Sequence, residues 1–265
     1  MREIIDINEL QSIELNILKE IDNYCLENKL QYFVTAGTML GAVRHKGFIP
    51  WDDDIDISMP RSDYQKLICE FSSEHYSILT NENTEDYYYN FAKIVDKRTY
   101  AKENLHKNEI KELGVWVDIF PLDGLTSYKG GLHYKIVHFL NRMCLFAKSD
   151  DLTAYRGWLN KLLCNLSRWI GFKKIIKLYN IAVRKYDIKS VPYYFLPNST
   201  YGKKVISSTK NLKDTLRVPF ENIQVNIPDG YDNILKNVYG DYMTLPPVDK
   251  RIAHHNASFY WKNEK

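Results

Sequence analysis

The sequence lacks the features that mark disulfide-rich secreted proteins, zinc modules and membrane-spanning proteins. Its four cysteines, Cys25, Cys69, Cys144 and Cys164, are widely spaced and form no Cys-x-x-Cys pair. This spacing predicts reduced, buried thiols in a cytosolic protein. No uncharged apolar run approaches the roughly 18 residues of a membrane span. The N-terminus is acidic within a few residues and has no apolar signal core, so we expect a cytoplasmic protein without an N-terminal targeting segment.

The chain also lacks a strong charge imbalance, internal repeats and low-complexity segments. A formal net charge of +3 is mild and gives no argument for a nucleic-acid partner. With 265 residues, 45% of them hydrophobic and 26% charged, the composition is that of a soluble globular protein. We expect one large domain, or one domain with an appended subdomain.

One stretch, residues 37–57, concentrates the groups that carry chemistry. It opens with Gly37-Thr38, directly after an apolar segment (residues 30–35) that predicts a short strand and before a short predicted helix. A strand, a Gly-Thr turn and a helix start point backbone N–H groups at an anion, and glycine lets the backbone approach a phosphate closely. The turn therefore predicts a phosphate cradle, although Gly-Thr is also an ordinary helix start.

The same stretch ends in a predicted strand with carboxylates on one face. Asp54 and Asp56 alternate with the apolar residues Ile55, Ile57 and Met59. If the apolar face enters a core, the two carboxylates lie roughly 7 Å apart and need a cation. The strict alternation argues against a solvated turn. Two hard oxygen ligands beside the glycine turn predict a Mg²⁺ or Mn²⁺ site.

A second acidic strand follows further along the chain. Asp118 stands between two aromatic residues on a strand otherwise suited to burial, where an acid is costly without a partner. A metal shared with Asp54 and Asp56 would supply that partner. Asp123 lies beyond Pro121 in a predicted turn and receives no chemical role.

Further polar groups are candidates for binding the substrate. These are Gly37, Thr38, Arg44, His45, Asp53, Lys93, Lys250, Arg251 and His254. Lys93 is a cation on an otherwise apolar strand face, and it is either a surface lysine with a packed stem or a residue facing the metal–phosphate site. The three C-terminal cations either complete an anion pocket or lie on the surface.

Residues 129–190 differ in composition and predict amphipathic helices, with one apolar stripe made by Trp158, Leu162, Leu166 and Trp169. Thirteen Lys and Arg against three acids give +10, far above the +3 of the whole chain. One interpretation is a helical insertion with a solvated basic face. The other is a face for anionic lipid or a polyanionic acceptor.

The remaining patterns predict ordinary elements around these motifs. Residues 9–29 predict a helix, 97–113 a charged loop, 217–228 a hairpin at the sheet edge, and 229–239 a short helix.

These motifs resemble the LicD family of phosphocholine transferases, which is also similar to fukutin and fukutin-related proteins. The resemblance spans residues 25–255 and rests on three blocks: Gly37-Thr38-x-x-Gly41-x-x-Arg44-His45-x-Gly47-Phe48-Ile49-Pro50-Trp51-Asp52-Asp53-Asp54-Ile55-Asp56; Trp116-Val-Asp118-Ile-Phe-Pro121-Leu-Asp123-Gly; and Tyr239-Gly-Asp-Tyr-Met-x-Leu-Pro-Pro with Lys250-Arg251-x-x-His254-His255.

The resemblance implies an α+β fold, a nucleotidyltransferase-like mixed sheet flanked by helices. It implies a catalytic core over 1–128, a basic helical insertion over 129–190, and a C-terminal part over 191–265 that completes the active site. Carried over residue by residue, it makes Gly37 and Thr38 the phosphate turn, Asp54 and Asp56 the metal pair, and Asp118 the third carboxylate.

Members of that family move a phospho-alcohol from a CDP-activated donor to a sugar hydroxyl of a surface glycan or its lipid-linked precursor. We therefore expect a metal-dependent transferase that releases CMP, with possible membrane contact through 129–190 and no nucleic acid. The donor alcohol stays open. Choline would suit an aromatic cage, for which the candidates are Trp51, Tyr87, Tyr88, Tyr89 and Trp116.

Two other function classes stay open. A nucleotidyltransferase would attach NMP to a small molecule and release pyrophosphate, and its product would distinguish it. A non-catalytic glycan- or membrane-binding module would have no reason to keep the costly acids Asp54, Asp56 and Asp118.

Overall fold

The computed structural model describes residues 1–103, 110–148, 157–251 and 257–262. Its helices are α1 (Ile7–Glu27), α2 (Ala36–Arg44), α3 (Arg61–Glu70), α4 (Gly131–Lys148), α5 (Trp158–Ile170), α6 (Phe172–Val183) and α7 (Tyr231–Tyr239). Its strands are β1 (Arg2–Ile4), β2 (Phe33–Val34), β3 (Asp56–Pro60), β4 (Tyr76–Leu79), β5 (Ala92–Asp96), β6 (Thr99–Glu103), β7 (Trp116–Leu125), β8 (Tyr193–Phe195), β9 (Ser207–Ser208), β10 (Thr215–Phe220), β11 (Ile223–Pro228) and β12 (Ala257–Trp261).

The largest sheet is mixed, as the α+β expectation requires. Its main path runs β2-β3-β7-β5-β4, and β8 joins the far end of β7 and pairs in turn with β9. β3 and β7 run parallel, whereas β2 on β3 and β5 on β7 run antiparallel. This arrangement places the two predicted acidic strands side by side.

Alternation from Ile55 along β3 sets the core, as the sequence predicts, but β3 begins at Asp56, so Asp54 precedes the strand instead of lying on it. Ile55, Ile57 and Met59 are completely buried, and Val117 and Ile119 of β7 are buried beside them. A fully buried aliphatic side chain stabilises the fold by about 1.5–3 kcal/mol. The apolar face therefore holds the strands in place while the opposite face carries the acids.

Helix α1 packs its apolar stripe on this core and has clear ends. Asp6 caps it by accepting the Asn8 N–H at 2.9 Å. At the other end Lys29 adopts the left-handed region (φ +54), and the Leu30 N–H donates back to the Cys25 carbonyl at 2.9 Å. The helix thus begins and ends two residues before the predicted bounds.

The predicted loop over residues 97–113 is wrong in its first part. Thr99–Glu103 form β6, which pairs with β12, and β12 pairs with β1 on its other edge. This three-stranded sheet joins segments from both ends of the chain. A local sequence pattern reveals no partner so far away, which is why the segment reads as a loop.

The predicted hairpin over residues 217–228 is present as β10 and β11. Its predicted place at the edge of the main sheet is wrong, because the two strands form a sheet of their own. The turn of this hairpin packs on the loop after α2, where Phe220 and Phe48 are in ring contact at 5.0 Å.

The turn predicted beyond Pro121 is also wrong, because β7 continues to Leu125. Proline lacks an N–H that could donate to a neighbouring strand. β5 runs antiparallel to β7 and begins at Ala92, opposite Ile119, so β5 does not extend alongside Pro121. Asp123 pairs with Phe195 of β8. Its buried carboxylate accepts two hydrogen bonds from the Arg61 guanidinium, at 2.8 and 2.5 Å.

Helices α4 and α6 share a second hydrophobic cluster, which includes Val137, Cys144, Ile175 and Tyr179. In the described part of the chain, no helix combines the length and the apolarity that crossing a bilayer requires. All four cysteines are free, and Cys69 is exposed rather than buried. The division into residues 1–128, 129–190 and 191–265 stays a prediction.

The Arg61–Asp123 pair yields a stability prediction. Asp123→Ala leaves a largely buried guanidinium without its carboxylate, so we expect the free energy of unfolding in urea to fall by about 3–5 kcal/mol. The control is Lys236→Ala, which breaks an exposed i,i+4 pair with Asp232 and should change little. Equal urea midpoints for both variants would contradict the buried pairing.

Candidate active site

Two hydrogen bonds tie the glycine-hydroxyl turn to the acidic strand. The Thr35 N–H donates to the Asp56 carbonyl at 2.9 Å, and the Asp56 N–H donates to the Thr38 hydroxyl oxygen at 2.8 Å. The predicted strand and helix are present as β2 and α2, but Gly37 and Thr38 lie in the first turn of α2 and not in a turn before it. Thr38 is buried, so its hydroxyl fixes the start of β3 against the start of α2.

Three consecutive acids beside this turn form a compact carboxylate cluster. One carboxylate oxygen each from Asp52, Asp53 and Asp54 lie within 4.8 Å of one another. Gly37 permits this packing, because a Cβ there would lie 2.7 Å from Oδ2 of Asp52. The cluster contains Asp54, as predicted, and adds Asp52 and Asp53. Within the described residues it does not extend to Asp56 or Asp118.

Asp56 and Asp118 face each other across the β3–β7 pair. They are register partners in the parallel ladder, with the Asp118 N–H donating to the Ile55 carbonyl at 2.9 Å. Burial, and then the negative charges of Asp54 and Asp118, raise the pKa of Asp56 well above its usual value. The carboxylates thus crowd one another, which is the electrostatic condition that a bound cation relieves.

Lys93 lies inside the site, and the surface-lysine alternative is wrong. Its side chain is 2% exposed, and its Nζ donates to Oδ1 of Asp118 at 2.7 Å. The Nζ also lies 4.1 Å from the Trp116 ring centroid and 4.5 Å from that of Tyr89. Aromatic faces and a carboxylate together stabilise a buried ammonium.

This arrangement changes the expectation of an aromatic cage. Tyr89 and Trp116 enclose Lys93, so their faces serve a protein cation. The hydroxyls of Tyr88 and Tyr89 both donate to Glu103. Tyr87 is buried and donates to a backbone carbonyl at 2.9 Å.

Two predicted binding residues, His45 and Arg251, contact Trp51, and Arg44 lies next to His45. The Arg251 guanidinium lies 5.4 Å from the indole centroid, and the His45 ring meets the indole edge-on at 6.5 Å. Arg44 donates to the Tyr242 carbonyl at 2.8 Å. Burial and the charge of Arg44 lower the pKa of His45, so the imidazole is neutral at pH 7. Trp51 directly precedes Asp52, the first acid of the carboxylate cluster.

Not every predicted binding residue joins this cluster. Lys250 is exposed on the 3₁₀ turn Val248–Lys250. His254 lies outside the described residues. Their proposed contacts with substrate stay predictions.

The loop between α2 and the acids is pinned by the hairpin turn. The Phe48 N–H donates to the Glu221 carboxylate at 3.0 Å, and the Glu221 N–H donates to the Lys46 carbonyl at 2.8 Å. Any Cβ at Gly47 would overlap the Glu221 side chain. A side chain at position 47 would therefore displace the Glu221 carboxylate that accepts the Phe48 N–H.

Tyr201 and Tyr239 bring a pair of hydroxyls to the acidic strand, and the sequence analysis assigned them no role. The two oxygens lie 3.1 Å apart, and the residues line a cavity of about 50 Å³ next to Thr35 and Ala36. Burial, the Tyr201 hydroxyl and then the charge of Asp56 raise the pKa of Tyr239. Tyr239 is the first residue of the third block that resembles the LicD family, whereas no sequence motif contains Tyr201.

Glu14 is a further acid that sequence reasoning missed. It is 2% exposed on α1, and its Oε2 has no hydrogen-bond partner among the described residues. Burial, followed by the charges of Asp54 and Asp53, raises its pKa well above 4.5. The signal was present, because Glu14 falls within the apolar stripe between Ile13 and Ile17.

The donor set fits a hard divalent cation. The site offers carboxylate oxygens, which Mg²⁺ and Mn²⁺ prefer, and three of them already lie within 4.8 Å. Its acids raise one another's pKa, so a cation would remove the repulsion. The identity of the ion is not set by this geometry.

The chain is similar to known proteins over the region that contains this site. Residues 29–151 match the family model described as LicD/FKTN/FKRP, nucleotidyltransferase domain. The chain is 32% identical over 265 residues to the lipopolysaccharide cholinephosphotransferase LicD of Haemophilus influenzae, covering 97% of this chain and 98% of that protein. The chain belongs to the LicD/FKTN/FKRP family.

The family match spans all the predicted acids, from Asp53 to Asp118. A shorter similarity links the chain to an uncharacterized protein of Rickettsia typhi, at 35% identity over 121 residues, covering 44% of this chain and 37% of that protein. An uncharacterized protein of Rickettsia prowazekii is 35% identical over 65 residues, which cover 23% of this chain and 24% of that protein.

The ion pair within this LicD-family site predicts the outcome of Lys93→Met. The substitution leaves the buried Asp118 carboxylate without its ammonium, so the free energy of unfolding should fall by about 3–5 kcal/mol. Urea unfolding followed by circular dichroism measures this loss. Lys102→Met on the exposed edge of β6 is the control. A midpoint for Lys93→Met equal to the control's would contradict the pairing.

Glu14 predicts a pH-dependent difference in stability. Its pKa is raised in the folded state, so the folded protein holds this proton at pH values where the unfolded chain has lost it. Stability from this group is therefore present at low pH and lost as pH rises, by about 1.4 kcal/mol per pH unit until the folded pKa is reached. Glu14→Gln should gain stability relative to the parent as pH rises above 4.5.

Urea midpoints between pH 5 and pH 8 measure this difference. Glu27→Gln, an exposed acid on the same helix, should run parallel to the parent protein. A parallel curve for Glu14→Gln as well would show that its carboxyl is not held in an environment that disfavours charge.

Proposed function

We propose that this protein transfers phosphocholine, or a closely similar phospho-alcohol, from a CDP-activated donor to a sugar hydroxyl. The acceptor is lipopolysaccharide or a related surface glycan or lipid-linked precursor, and CMP is released. The main support for this proposal is the 32% identity to the Haemophilus lipopolysaccharide cholinephosphotransferase across 97% of this chain. The crowded acids, and the guanidinium groups of Arg44 and Arg251 near the preceding Trp51, support this chemistry, because phosphoryl transfer depends on positioning and charge stabilisation.

The acids would hold the cofactor. Asp54, Asp56 and Asp118 are the proposed ligands of Mg²⁺ or Mn²⁺, and Asp52 and Asp53 lie alongside Asp54. When bound, such an ion neutralises charge on the transferred phosphoryl group and on the leaving phosphate.

The cationic cluster and the α2 turn would bind the donor diphosphate. Arg44 and Arg251 supply guanidinium donors, and neutral His45 supplies a ring N–H. Backbone N–H groups at Gly37 and Thr38 stand in the first turn of α2, where the helix dipole favours an anion. Asp53 stays a proposed substrate contact.

The remaining groups would serve the acceptor. Its sugar hydroxyl attacks the distal phosphorus in line, the bond from that phosphorus to CMP breaks, and the hydroxyl proton passes to Asp118. Lys93 orients Asp118 by donating to one of its carboxylate oxygens. A carboxylate can accept about four hydrogen bonds, so this contact alone does not saturate it. The Tyr201 and Tyr239 hydroxyls, whose pKa values are raised, stay protonated and can donate to a substrate oxygen.

The test is CMP release from CDP-choline with a lipopolysaccharide acceptor in the presence of Mg²⁺. Asp54→Asn and Asp56→Asn should each lower turnover more than about 100-fold, because removing even a supporting partner of a metal ligand costs 10- to 100-fold. Without metal, both variants should be at least as stable as the parent, since each removes one of several repelling charges. Asp214→Asn, an exposed acid on the same chain, is the control.

Each contrary outcome has a distinct meaning. Near-normal turnover in Asp54→Asn and Asp56→Asn would overturn the metal assignment. Pyrophosphate release from a nucleoside triphosphate, without CMP release from CDP-choline, would favour a nucleotidyltransferase. CMP release from another CDP-alcohol alone would change the donor. No nucleotide product from any donor would favour a binding module.

A further inference from the structure

Helix α5 has its apolar side turned outward. The sequence predicts one stripe from Trp158, Leu162, Leu166 and Trp169, which in a globular protein normally faces the core. Here Trp158 is 77% exposed and Trp169 is 84% exposed, and both leucines are exposed as well. We call this stripe, together with Leu159, the α5 outer face.

The buried side of α5 is made of small residues. Cys164 and Ser167 are completely buried. The Cys164 thiol contacts the Phe146 carbonyl of α4 at 3.4 Å, and the Ser167 hydroxyl donates to the Leu163 carbonyl of its own helix at 2.7 Å. The completely buried contacts of the helix are thus made by small groups, Leu163 and Ile170 are half-buried, and the five largest exposed apolar side chains are left in water.

The α5 outer face is continuous. At about 100° per residue, its five side chains fall within an arc of about 100° along the whole helix. Indoles stand near both ends, and leucines lie between them. Large contiguous apolar patches are uncommon on monomeric proteins and mark sites of interaction.

The stretch of chain that contains α5 and α6 carries charge of one sign. From Gly157 to Tyr186 the sequence contains no Asp or Glu. Over the same stretch it contains seven cations, Lys161, Arg168, Lys173, Lys174, Lys177, Arg184 and Lys185. An occupant of the α5 outer face therefore meets apolar contact flanked by positive charge.

We propose that α5 lies in the interface of an anionic phospholipid bilayer. Its indoles and leucines would enter the boundary between headgroups and acyl chains, and the neighbouring cations would contact lipid phosphates. A helix of 13 residues is about 20 Å long, shorter than the roughly 30 Å hydrocarbon core, so it lies along the membrane surface. This inference does not depend on the proposed reaction.

Charge argues against a second copy of the chain as the occupant. A symmetric contact would bring two stretches without acids, each with seven cations, against one another. Part of the α6 charge is offset, because Lys173, Lys174 and Lys177 share a groove with the acidic loop 81–86. The charge test is therefore made with Lys161 on α5 itself.

The experiment measures binding of the full chain to vesicles of phosphatidylglycerol and of phosphatidylcholine by flotation. We expect binding to the anionic vesicles to be at least about tenfold stronger, and to weaken in salt. The tryptophan emission should shift to shorter wavelength on binding, since two exposed indoles leave water. Trp158→Ser/Trp169→Ser should weaken binding at least about 100-fold, because each indole buries about 150–250 Å².

Matched variants separate this face from general effects. Ile5→Ser/Leu26→Ser removes two exposed apolar side chains elsewhere and should bind like the parent. Lys161→Glu should weaken binding to anionic vesicles several-fold more than Lys210→Glu, an exposed lysine outside the stretch. Melting temperatures of all variants should match the parent's, because the substituted residues are exposed.

Three results would overturn the proposal. The first is equal binding of Trp158→Ser/Trp169→Ser and the parent to anionic vesicles. The second is equal binding of the parent to anionic and neutral vesicles. The third is a parent dimer in sedimentation that becomes a monomer in Trp158→Ser/Trp169→Ser, which would make the α5 outer face a contact between copies of the chain.

Discussion

The repulsion among carboxylates at the β3–β7 pair is the constraint on which the rest of the site depends. Strand register places Asp56 opposite Asp118. Asp52, Asp53 and Asp54 directly precede β3 and form a cluster of carboxylates there. Apolar packing of the opposite strand face supplies the energy that keeps them there. Lys93 offsets part of the charge at Asp118, and the aromatic rings around it fix the ammonium in place.

The loop and helix beside the acids are held by unusually direct contacts. Thr38 bonds the first N–H of β3, Gly37 leaves room for Asp52, and Gly47 leaves room for Glu221. The site is therefore preorganised by backbone contacts from three parts of the chain. Such rigidity suits phosphoryl transfer, in which the protein mainly positions charges. It also gives Gly37 a packing role besides the predicted approach to phosphate.

Much of this could be predicted from the sequence, because the informative patterns are local. Alternation of Ile55, Ile57 and Met59 predicts the strand that carries Asp56, and Gly37 and Thr38 predict the start of a helix directly after a strand. A local pattern does not show pairing between distant segments, so residues 97–113 predict a loop although β6 lies within them.

Burial of charged side chains was equally hidden. The location of Lys93 depends on neighbours from other strands, and the burial of Glu14 depends on elements that pack on α1 from distant parts of the sequence. The turn predicted beyond Pro121 is absent because β5 does not extend alongside this residue, so the missing N–H of proline costs no hydrogen bond to β5. The catalytic roles themselves rest on family resemblance and on charge, and geometry alone does not assign them.

The pairing of β12 with β1 and β6 has a consequence for how the protein is made. The three-stranded sheet needs residues 257–261, although its other strands are synthesised much earlier. Arg44 likewise finds its carbonyl partner only at Tyr242. During translation the acids of the site therefore leave the ribosome long before Tyr242 and β12. A nascent chain carries the acids, Arg44 and β6 without these later segments until residues 242–261 have been synthesised.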